Sequence, residues 1–297
     1  MNAIVIVITL VYIACCQIEV TESFNHTIFA YPENAIKKST LRIIGGDNVT
    51  PNSYPFQAAL FIYYKSKTNL CGGSLIDKEW ILTAAHCVDN DPVRIVVKLG
   101  LHDVYATQES TVQIYEAKSY YKHSKWNEKT LQNDIALIKL PRNATLNNYV
   151  NLIKIGDNID YAGRVATVLG WGSTEDGQIS KYLKKVDVDV MTNQACKAVR
   201  KEFNEIIVST HLCTSGQGIR GSCSGDSGGP LIVDGVQIGL VSFGPENCMR
   251  GFPSVFTRVP KFASWITSTK RNSGTSLNVN SFVICIVSLM FFINISK

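Results

Sequence analysis

A serine set among glycines is the residue of this chain whose surroundings most clearly indicate chemistry. Residues 225–230 read Gly-Asp-Ser-Gly-Gly-Pro, with Ser227 at the centre. Glycines adopt positive φ values and let a substrate backbone approach closely. In this setting the hydroxyl group of Ser227 and two backbone N–H groups can face the same carbonyl carbon, which is the arrangement that acyl transfer requires.

Two further segments supply the residue types that a serine nucleophile needs. Residues 83–87 include His86, and residues 133–137 include Asp134. A serine hydroxyl needs an adjacent base, histidine titrates nearest to neutral pH, and a carboxylate can orient the imidazole ring. His86, Asp134 and Ser227 are therefore the candidate catalytic residues. The remaining histidines have no such context and are interpreted as surface or core residues: His26, His102, His123 and His211.

The chain order histidine, aspartate, serine resembles that of the trypsin/chymotrypsin family of serine endopeptidases. The resemblance extends from Ile43 to about Lys270, nearly all of the chain between its two ends. It implies that the serine attacks the peptide carbonyl, that the histidine transfers the proton and that the aspartate holds the imidazole. It also implies an oxyanion hole formed by the N–H groups of Gly225 and Ser227.

A sequence like the family's activation junction precedes this region. A protease of tryptic specificity would cut after Arg42 and free the amine of Ile43. By resemblance, the carboxylate of Asp226 would pair with the new ammonium group and so hold the oxyanion hole in its working form. Breaking such a buried pair costs about 3–5 kcal/mol, because one charge is left without a partner. We therefore expect the precursor that retains residues 17–42 to be nearly inactive.

The residues that correspond to the family's primary specificity pocket include no acid. Tryptic enzymes carry Asp six residues before the nucleophile, where this chain has Gly221, so a buried Lys or Arg would find no partner. Gly244 would lie in the pocket wall. The run Gly251–Pro253 and Gly221 resemble arthropod chymotrypsins and brachyurin-like collagenases, and Ser254 stands where a glycine or an acid is common. We expect cleavage after large apolar P1 residues; small apolar P1 residues, or a pocket governed by loops, are the alternatives.

Other substrate contacts and the absence of a metal follow from the same resemblance. Ser242, Phe243 and Gly244 are expected to form an edge strand that pairs with the substrate backbone. Leu131 is expected to line the next subsite. Vertebrate trypsins place a calcium-binding glutamate where this chain has Leu101, and leucine cannot bind calcium. We expect no metal site and no cofactor, because the reaction needs neither.

Short strands separated by turn residues predict the fold class. The predicted strands are Phe56–Tyr63, Arg94–Leu99, Ile135–Leu140, Val165–Leu169, Val186–Val190, Pro230–Val233, Val236–Ser242 and Ser254–Arg258. Many short strands without alternating helices indicate an antiparallel all-β protein, but leave sandwich and barrel open. The resemblance implies two six-stranded antiparallel Greek-key β-barrels. The pattern over 260–270 predicts a C-terminal helix.

The two ends of the chain predict export and a surface anchor. An apolar run within residues 1–16 is typical of a secretory signal peptide, which places a propeptide at 17–42 and the protease domain at 43–271. In the segment 272–297, small residues, a polar spacer and the run 282–293 resemble a GPI-anchor signal. That run is shorter than the about 20 residues that span a bilayer. A short membrane segment and an unprocessed secreted tail are the alternatives.

Cysteines and sequons agree with an exported chain. Removing both ends would reduce nine cysteines to six, which allow fifteen pairings. The resemblance selects the pairs Cys71–Cys87, Cys196–Cys213 and Cys223–Cys248. N-glycosylation sequons are predicted at Asn25 in the propeptide and at Asn48 and Asn143 in the protease domain.

The charge balance and the candidate residues narrow the function classes. The net charge of +5 is not organised into a basic stripe with aromatics, so no nucleic-acid partner is expected. The expected partners are protein or peptide substrates, a separate activating tryptic protease and protein inhibitors. The enzyme is expected to be a monomer that contacts a membrane only through a lipid anchor. The chain is interpreted as a secreted or surface-anchored endopeptidase. A protease-like binding module and a protease of restricted processing are the competing hypotheses.

Overall fold

Strands are the main regular elements of the described chain. The computed structural model describes residues 46–173, 178–217, 221–222, 224–244 and 251–274. The strands are β1 (Asp47–Asn48), β2 (Gln57–Tyr63), β3 (Thr68–Asp77), β4 (Trp80–Thr83), β5 (Arg94–Leu99), β6 (Gln113–Glu116), β7 (Ser119–Lys122), β8 (Ala136–Lys139), β9 (Lys154–Ile155), β10 (Val165–Gly170), β11 (Lys184–Met191), β12 (His211–Thr214), β13 (Pro230–Val233), β14 (Val236–Phe243) and β15 (Ser254–Arg258). The α-helices are α1 (Asn193–Val199), α2 (Lys201–Ile206) and α3 (Ala263–Gly274), with 3₁₀ turns at His86–Val88 and Val259–Phe262.

The C-terminal half of the fold is a closed six-stranded barrel. The strand order runs β11, β10, β13, β14, β15 and β12, and β12 pairs with β11 to complete the ring. All six of these pairings are antiparallel. Two short strands, β1 and β9, extend the sheet beyond this ring by pairing with β11 and β14.

The N-terminal half is a second sheet that curls back on itself. Its order is β6, β5, β2, β3, β4, β8 and β7, so β6 and β7 lie at the two ends. Only Ala117 and Lys118 separate β6 from β7 in the chain. The N–H of Ala117 donates to the carbonyl of Ile95 in β5, and the N–H of Lys118 donates to the carbonyl of Lys139 in β8. Strands β6 and β7 therefore act as one bent strand, and the predicted all-β fold of two barrels with a C-terminal helix is confirmed.

Side-chain alternation explains how the barrels fill. In β11, three valines point inward and alternate with exposed aspartates, which is the period of two expected for a strand with one solvated face. Strand β14 is buried along almost its whole length instead, because it borders the second barrel as well as its own interior. One cluster joins the barrels through Leu82, Leu240 and Phe262. The C-terminal helix packs on this cluster through Ile266.

Two close contacts hold the barrels in register beside the predicted nucleophile. The hydroxyl group of Ser74 in β3 donates to the side-chain oxygen of Gln237 in β14 at 2.6 Å. A Cβ atom on Gly72 would lie 2.8 Å from the Cα atom of Gly229. No side chain fits between β3 and the start of β13, so the glycine at position 72 lets the two backbones touch.

The sequence patterns located eight of the strands and missed the others, including β3, which is the longest strand described at ten residues. All eight predicted strands are present, with ends that shift by at most two residues. The C-terminal helix begins at Ala263 and is preceded by a 3₁₀ turn that contains Pro260, which lacks the N–H that a helix interior needs. Helices α1 and α2 were not predicted. Thr192 caps α1 by accepting the N–H of Ala195 at 3.1 Å, and this local signal could have indicated its start.

The features predicted at the chain ends lie outside the described residues. These are the signal peptide, the propeptide with Arg42 and Ile43, the sequon at Asn25 and the tail beyond Gly274. Among the helices that the structure describes, none has the length and apolar character needed to cross a bilayer.

Candidate active site

Strand pairing in the N-terminal barrel brings His86 and Asp134 together. His86 begins the 3₁₀ turn that follows β4, and Asp134 lies two residues before β8. Strands β4 and β8 are antiparallel partners, with Thr83 opposite Ala136. The end of one strand therefore adjoins the start of the other, and two residues that are 48 apart in the chain become neighbours.

The carboxylate of Asp134 is fully buried and accepts three hydrogen bonds. Its side chain is 0% exposed. Oδ1 accepts the backbone N–H of His86 at 2.9 Å, and Oδ2 lies 2.7 Å from Nδ1 of the same residue. The hydroxyl group of Ser242, from the C-terminal barrel, donates to Oδ2 at 2.6 Å. An ionised carboxylate can only accept, so Nδ1 carries the ring proton and Nε2 is left as the basic nitrogen.

The environment shifts both pKa values in the direction that favours an ion pair. Burial by itself lowers the pKa of His86, but the charge of Asp134 and the hydrogen bond to it outweigh burial, and the net pKa is raised. Burial by itself raises the pKa of Asp134, whereas the charge of His86 and hydrogen bonds from His86 and Ser242 lower it, and the net pKa is lowered. The His86 ring remains 29% exposed, so a substrate can reach it.

Ser227 is held against the N-terminal barrel through its backbone. Its carbonyl oxygen accepts the N–H of Gly72 at 2.8 Å. The sulfur of Cys87 lies 3.5 Å from that carbonyl oxygen and 3.8 Å from Nε2 of His86. Cys87 is joined to Cys71 and has no proton to donate, so these are packing contacts. The disulfide thus sits beside both His86 and Ser227.

Two backbone amides on the serine turn are available to a ligand. Gly225 has a φ of 98°, which is a conformation that favours glycine. Across the part of the chain that the structure describes, the N–H groups of Gly225 and Ser227 have no hydrogen-bond acceptor. They are the two amides that the resemblance assigns to the oxyanion hole, and an empty pair of donors is what such a site requires.

Buried glycines surround Asp226, the residue between these two amides. Its side chain is 0% exposed, and Oδ1 accepts the N–H of Gly172 at 2.9 Å. A Cβ atom on Gly172 would lie 2.6 Å from the carboxyl carbon of Asp226, and one on Gly170 would clash with Oδ1. Neither glycine was predicted from the sequence to be part of the site. Ile43, the predicted ammonium partner, lies outside the described residues.

Three residues predicted to form the primary pocket lie close together. A Cβ atom on Gly221 would lie 2.7 Å from Oγ of Ser254, and one on Gly244 would lie 3.9 Å from the same oxygen. Ser254 is 3% exposed. Thr214 is the antiparallel partner of Ser254, so both side chains project from the same face of the sheet. Among the described residues, Oγ1 of Thr214 is buried without a partner, and the sequence analysis did not include this hydroxyl group.

The residues predicted to pair with the substrate backbone and to line the next subsite lie at the end of β14 and in the loop before β8. Ser242 and Phe243 end β14, and Gly244 follows as an exposed residue. Ser242 has a second role that was not predicted, because its hydroxyl group binds Asp134. Leu131 has a φ of 54° and lies in the loop before β8.

The remaining predictions concern disulfides, metals and glycans. The structure contains Cys71–Cys87 and Cys196–Cys213, whereas Cys223 and Cys248 lie outside the described residues. Cys71, Cys87 and His86 cluster at ligand distance, but disulfide sulfurs are not the thiolates that bind metals. The side chain of Leu101 is buried in an apolar cluster. Asn48 and Asn143 are exposed, and their glycosylation stays a prediction.

Comparisons with known proteins agree with this fold. The family model described as Trypsin matches residues 43–266. Brachyurin from Leptuca pugilator is 40% identical over 227 residues, which cover 75% of this chain and 96% of that protein. Chymotrypsin from Phaedon cochleariae is 37% identical over 256 residues, which cover 84% of this chain and 90% of that protein. A solved structure of HL collagenase superposes with a TM-score of 0.70 at 33% identity, covering 79% of this chain and 100% of that one.

The fold and the similarities together define the class of protein. Two antiparallel barrels, with a histidine–aspartate pair on one and a glycine-flanked serine on the other, are the architecture of a serine endopeptidase of the chymotrypsin fold. The chain belongs to the trypsin family, and its relatives include a brachyurin and a chymotrypsin. Peptide hydrolysis is the activity that this membership supports.

Proposed function

We propose that the protein is a secreted serine endopeptidase made as a zymogen, in which Ser227, His86 and Asp134 act as the catalytic triad. One observation carries the proposal: the buried Asp134 carboxylate holds both the backbone and the ring of His86, and leaves Nε2 free. Beside this pair lies a partly exposed serine, on a turn where the N–H groups of Gly225 and Ser227 have no acceptor among the described residues. A base, a nucleophile and two donors are the parts that acyl transfer needs.

In the proposed reaction, Oγ of Ser227 attacks the peptide carbonyl while its proton passes to Nε2 of His86. The carbonyl oxygen becomes an oxyanion that accepts the N–H groups of Gly225 and Ser227. When the C–N bond breaks, Nε2 returns the proton to the leaving amine. Water then repeats the sequence on the acyl-enzyme and releases the carboxylic acid. Asp134 stabilises the transient imidazolium. The same interaction raises the pKa of His86 in the enzyme without substrate.

Activation is proposed to act through Asp226. Cleavage after Arg42 would supply the ammonium group of Ile43, and pairing would hold the buried carboxylate where Gly170 and Gly172 leave space for it. Because Asp226 separates the two donor amides, its position determines the direction of the Gly225 N–H. An uncut precursor would lack this charge and should have an incomplete oxyanion hole.

The pocket residues support a preference for large apolar P1 side chains such as Phe, Leu, Tyr or Met. Neither Gly221 nor Ser254 carries a charge, and the hydroxyl group of Ser254 lies against Gly221. A buried P1 Lys or Arg would therefore lose its hydration without gaining a carboxylate partner. If the pocket rejects arginine, the enzyme cannot cut its own activation site, and a separate tryptic protease is needed.

The test of catalytic function uses precursor cut after Arg42 and a Ser227→Ala variant as the matched control. We would measure kcat/KM on peptides that differ only in P1, with Phe, Leu, Ala and Arg. Turnover led by Phe or Leu, and absent in the control, supports both mechanism and pocket. Turnover led by Arg keeps the mechanism and refutes the pocket proposal. No turnover, with no labelling of Ser227 by a fluorophosphonate, supports a protease-like binding module instead.

Export and anchoring are proposed from the chain ends. We propose a signal peptide over 1–16, a propeptide over 17–42, a protease domain over 43–271 and an anchor signal in 272–297. Release of the enzyme from expressing cells by a phosphatidylinositol-specific phospholipase would support the lipid anchor and restricted processing at the cell surface. Recovery of the enzyme in the medium without phospholipase would refute the anchor and leave secretion intact.

A further inference from the structure

His211 is a buried histidine that takes no part in the catalytic pair. It begins β12 and is 1% exposed, so a substrate cannot touch its ring. The ring nevertheless contacts two residues that were predicted to meet the substrate, Leu131 and Phe243. These two residues come from different barrels, and His211 lies between them.

The hydrogen bonds of His211 determine which nitrogen carries its proton. Nδ1 lies 3.2 Å from the backbone nitrogen of Val208, and Nε2 lies 3.0 Å from the carbonyl oxygen of Leu131. A backbone N–H can only donate and a carbonyl can only accept, so Nδ1 is unprotonated and Nε2–H donates to Leu131. Burial lowers the pKa of His211, against the opposing effects of the Leu131 carbonyl and the charge of Asp134, and this favours the neutral ring.

Leu131 needs such an external support because of its backbone conformation. Its φ of 54° lies in the left-handed region, which is disfavoured for a leucine and persists when surrounding contacts hold it. Within its own loop, the N–H of Asn127 donates to the carbonyl of Gln132, and the side chain of Asn133 donates to the carbonyl of Lys125. His211 adds a bond from the other barrel, from a residue that follows Leu131 by 80 positions.

The same imidazole ring also contacts Phe243, which ends the strand expected to pair with the substrate backbone. The rings of His211 and Phe243 meet edge to face, with centroids 5.6 Å apart and an interplanar angle of 84°. Edge-to-face packing fixes the orientation of both rings. One buried side chain thus links the carbonyl of Leu131 to the ring of Phe243.

We propose that His211 is a positioning residue for the subsite that receives the P2 side chain, because it holds Leu131 on one side and Phe243 on the other. The inference rests on the proposed peptidase function, since a P2 subsite exists only for a peptide substrate. Its ligand is the side chain next to the scissile residue. The neutral Nε2–H donor, together with the shape of the ring, performs the positioning.

The test compares His211→Met, which fills space without a donor, with His211→Gln, which retains an N–H donor of similar reach. Activated enzymes would be assayed on two peptides with the same P1 residue, one with P2 Leu and one with P2 Gly. For His211→Met we expect kcat/KM on the P2 Leu peptide to fall about tenfold, mainly through KM, with about twofold change or less on the P2 Gly peptide. His211→Gln should restore most of the preference for P2 Leu.

Equal losses on both peptides, or no loss on either, would overturn the inference, as would a His211→Gln enzyme as impaired as His211→Met. If His211→Met does not fold, His211→Asn replaces it: its side-chain oxygen can still accept the N–H of Val208, but its amide is too short to reach Leu131. The same selective loss is expected. Failure of the proposed function would look different, because the unsubstituted enzyme would then show no turnover that depends on Ser227.

Discussion

The region proposed to transfer the proton and the region proposed to receive the P1 side chain differ in the contacts that form them. Around His86 and Asp134, every carboxylate oxygen has a donor, and the bonds measure 2.6–2.9 Å. Gly221 and Gly244 carry no side chain, and among the described residues the polar group that a Cβ atom at either position would meet within 4 Å is the hydroxyl of Ser254. One region is formed by several hydrogen bonds to a buried charge, and the other by glycines beside a single neutral hydroxyl group.

This difference explains why the two regions should respond differently to substitution. A buried carboxylate that loses a hydrogen-bond donor still carries its desolvation cost. Few substitutions at His86 or Asp134 should therefore be tolerated. A pocket made of glycines and hydroxyl groups can accept a new side chain if that chain fits and finds a partner. We therefore expect changes at the pair to abolish turnover, and changes at the pocket to redirect it.

Replacement of Asp134 by Asn is expected to have the largest effect. The amide preserves the shape of the carboxylate but removes the charge that stabilises the imidazolium, and it can favour the wrong tautomer of His86. We expect kcat to fall about 10⁴-fold with little change in KM. Activated enzyme would be titrated for active sites and assayed on a P1 Phe peptide. A loss below tenfold would show that the buried pair is structural and not part of the reaction.

Replacement of Gly172 by Ala tests whether the oxyanion hole depends on the space around Asp226. The new Cβ atom would lie 2.6 Å from the carboxyl carbon of Asp226, so that side chain and the adjoining Gly225 amide must move. We expect kcat/KM to fall about 10²–10³-fold, the cost of losing one oxyanion donor.

Gly163→Ala is the matched control for this substitution. A Cβ atom on Gly163 meets nothing within 4 Å, and its φ of 82° means that alanine costs only backbone strain. The control should unfold at a lower temperature while keeping its kcat/KM. If Gly163→Ala and Gly172→Ala lose activity equally, the space around Asp226 is not what supports the oxyanion hole.

Replacement of Ser254 by Asp should redirect the pocket. The carboxylate would arise beside Gly221, where the hydroxyl group now lies, and would give a P1 Arg or Lys a charged partner. We expect the ratio of kcat/KM for P1 Arg over P1 Phe to rise about 10²-fold. Ser254→Asn, with the same shape and no charge, should leave the ratio near its original value. A similar rise in both variants would mean that shape, not charge, sets the preference.

The smallest expected effect concerns pH. His86 must be neutral to act as a base, and its pKa is raised, so kcat/KM should be lost as pH falls through a midpoint above the ordinary histidine value of about 6.5. The charge of Asp89 contributes to this rise without touching the ring. Asp89→Asn should therefore move the acid limb toward lower pH and raise kcat/KM at acidic pH by less than about tenfold.

The pH–rate profile would be recorded for both enzymes at low and high salt, with a P1 Phe peptide. High salt screens a charge that acts at a distance, so the two profiles should converge as salt is added. A shift in the opposite direction would contradict the electrostatic account of His86.

Local patterns were sufficient for eight of the strands and for proposing the candidate reacting groups, but they missed β3, the longest strand. Strands such as β5 and β15 carry β-branched runs between turn residues, and their bounds follow from those runs. Short strands such as β6 and β7 have no such signal. They become part of the barrel only because β6 pairs with β5 and β7 pairs with β8. The motifs around His86, Asp134 and Ser227 were readable because residue type and chain order alone indicate the chemistry.

The sequence by itself determined the class of fold, the candidate triad and the absence of an acid at Gly221 and Ser254. The tertiary structure alone decided the supports of the site: Ser242 on Asp134, Gly172 against Asp226, and His211 between Leu131 and Phe243. The physical reason is separation along the chain. These contacts join residues 32 to 108 positions apart, so they depend on sheet register and on how the barrels pack, which no local pattern encodes.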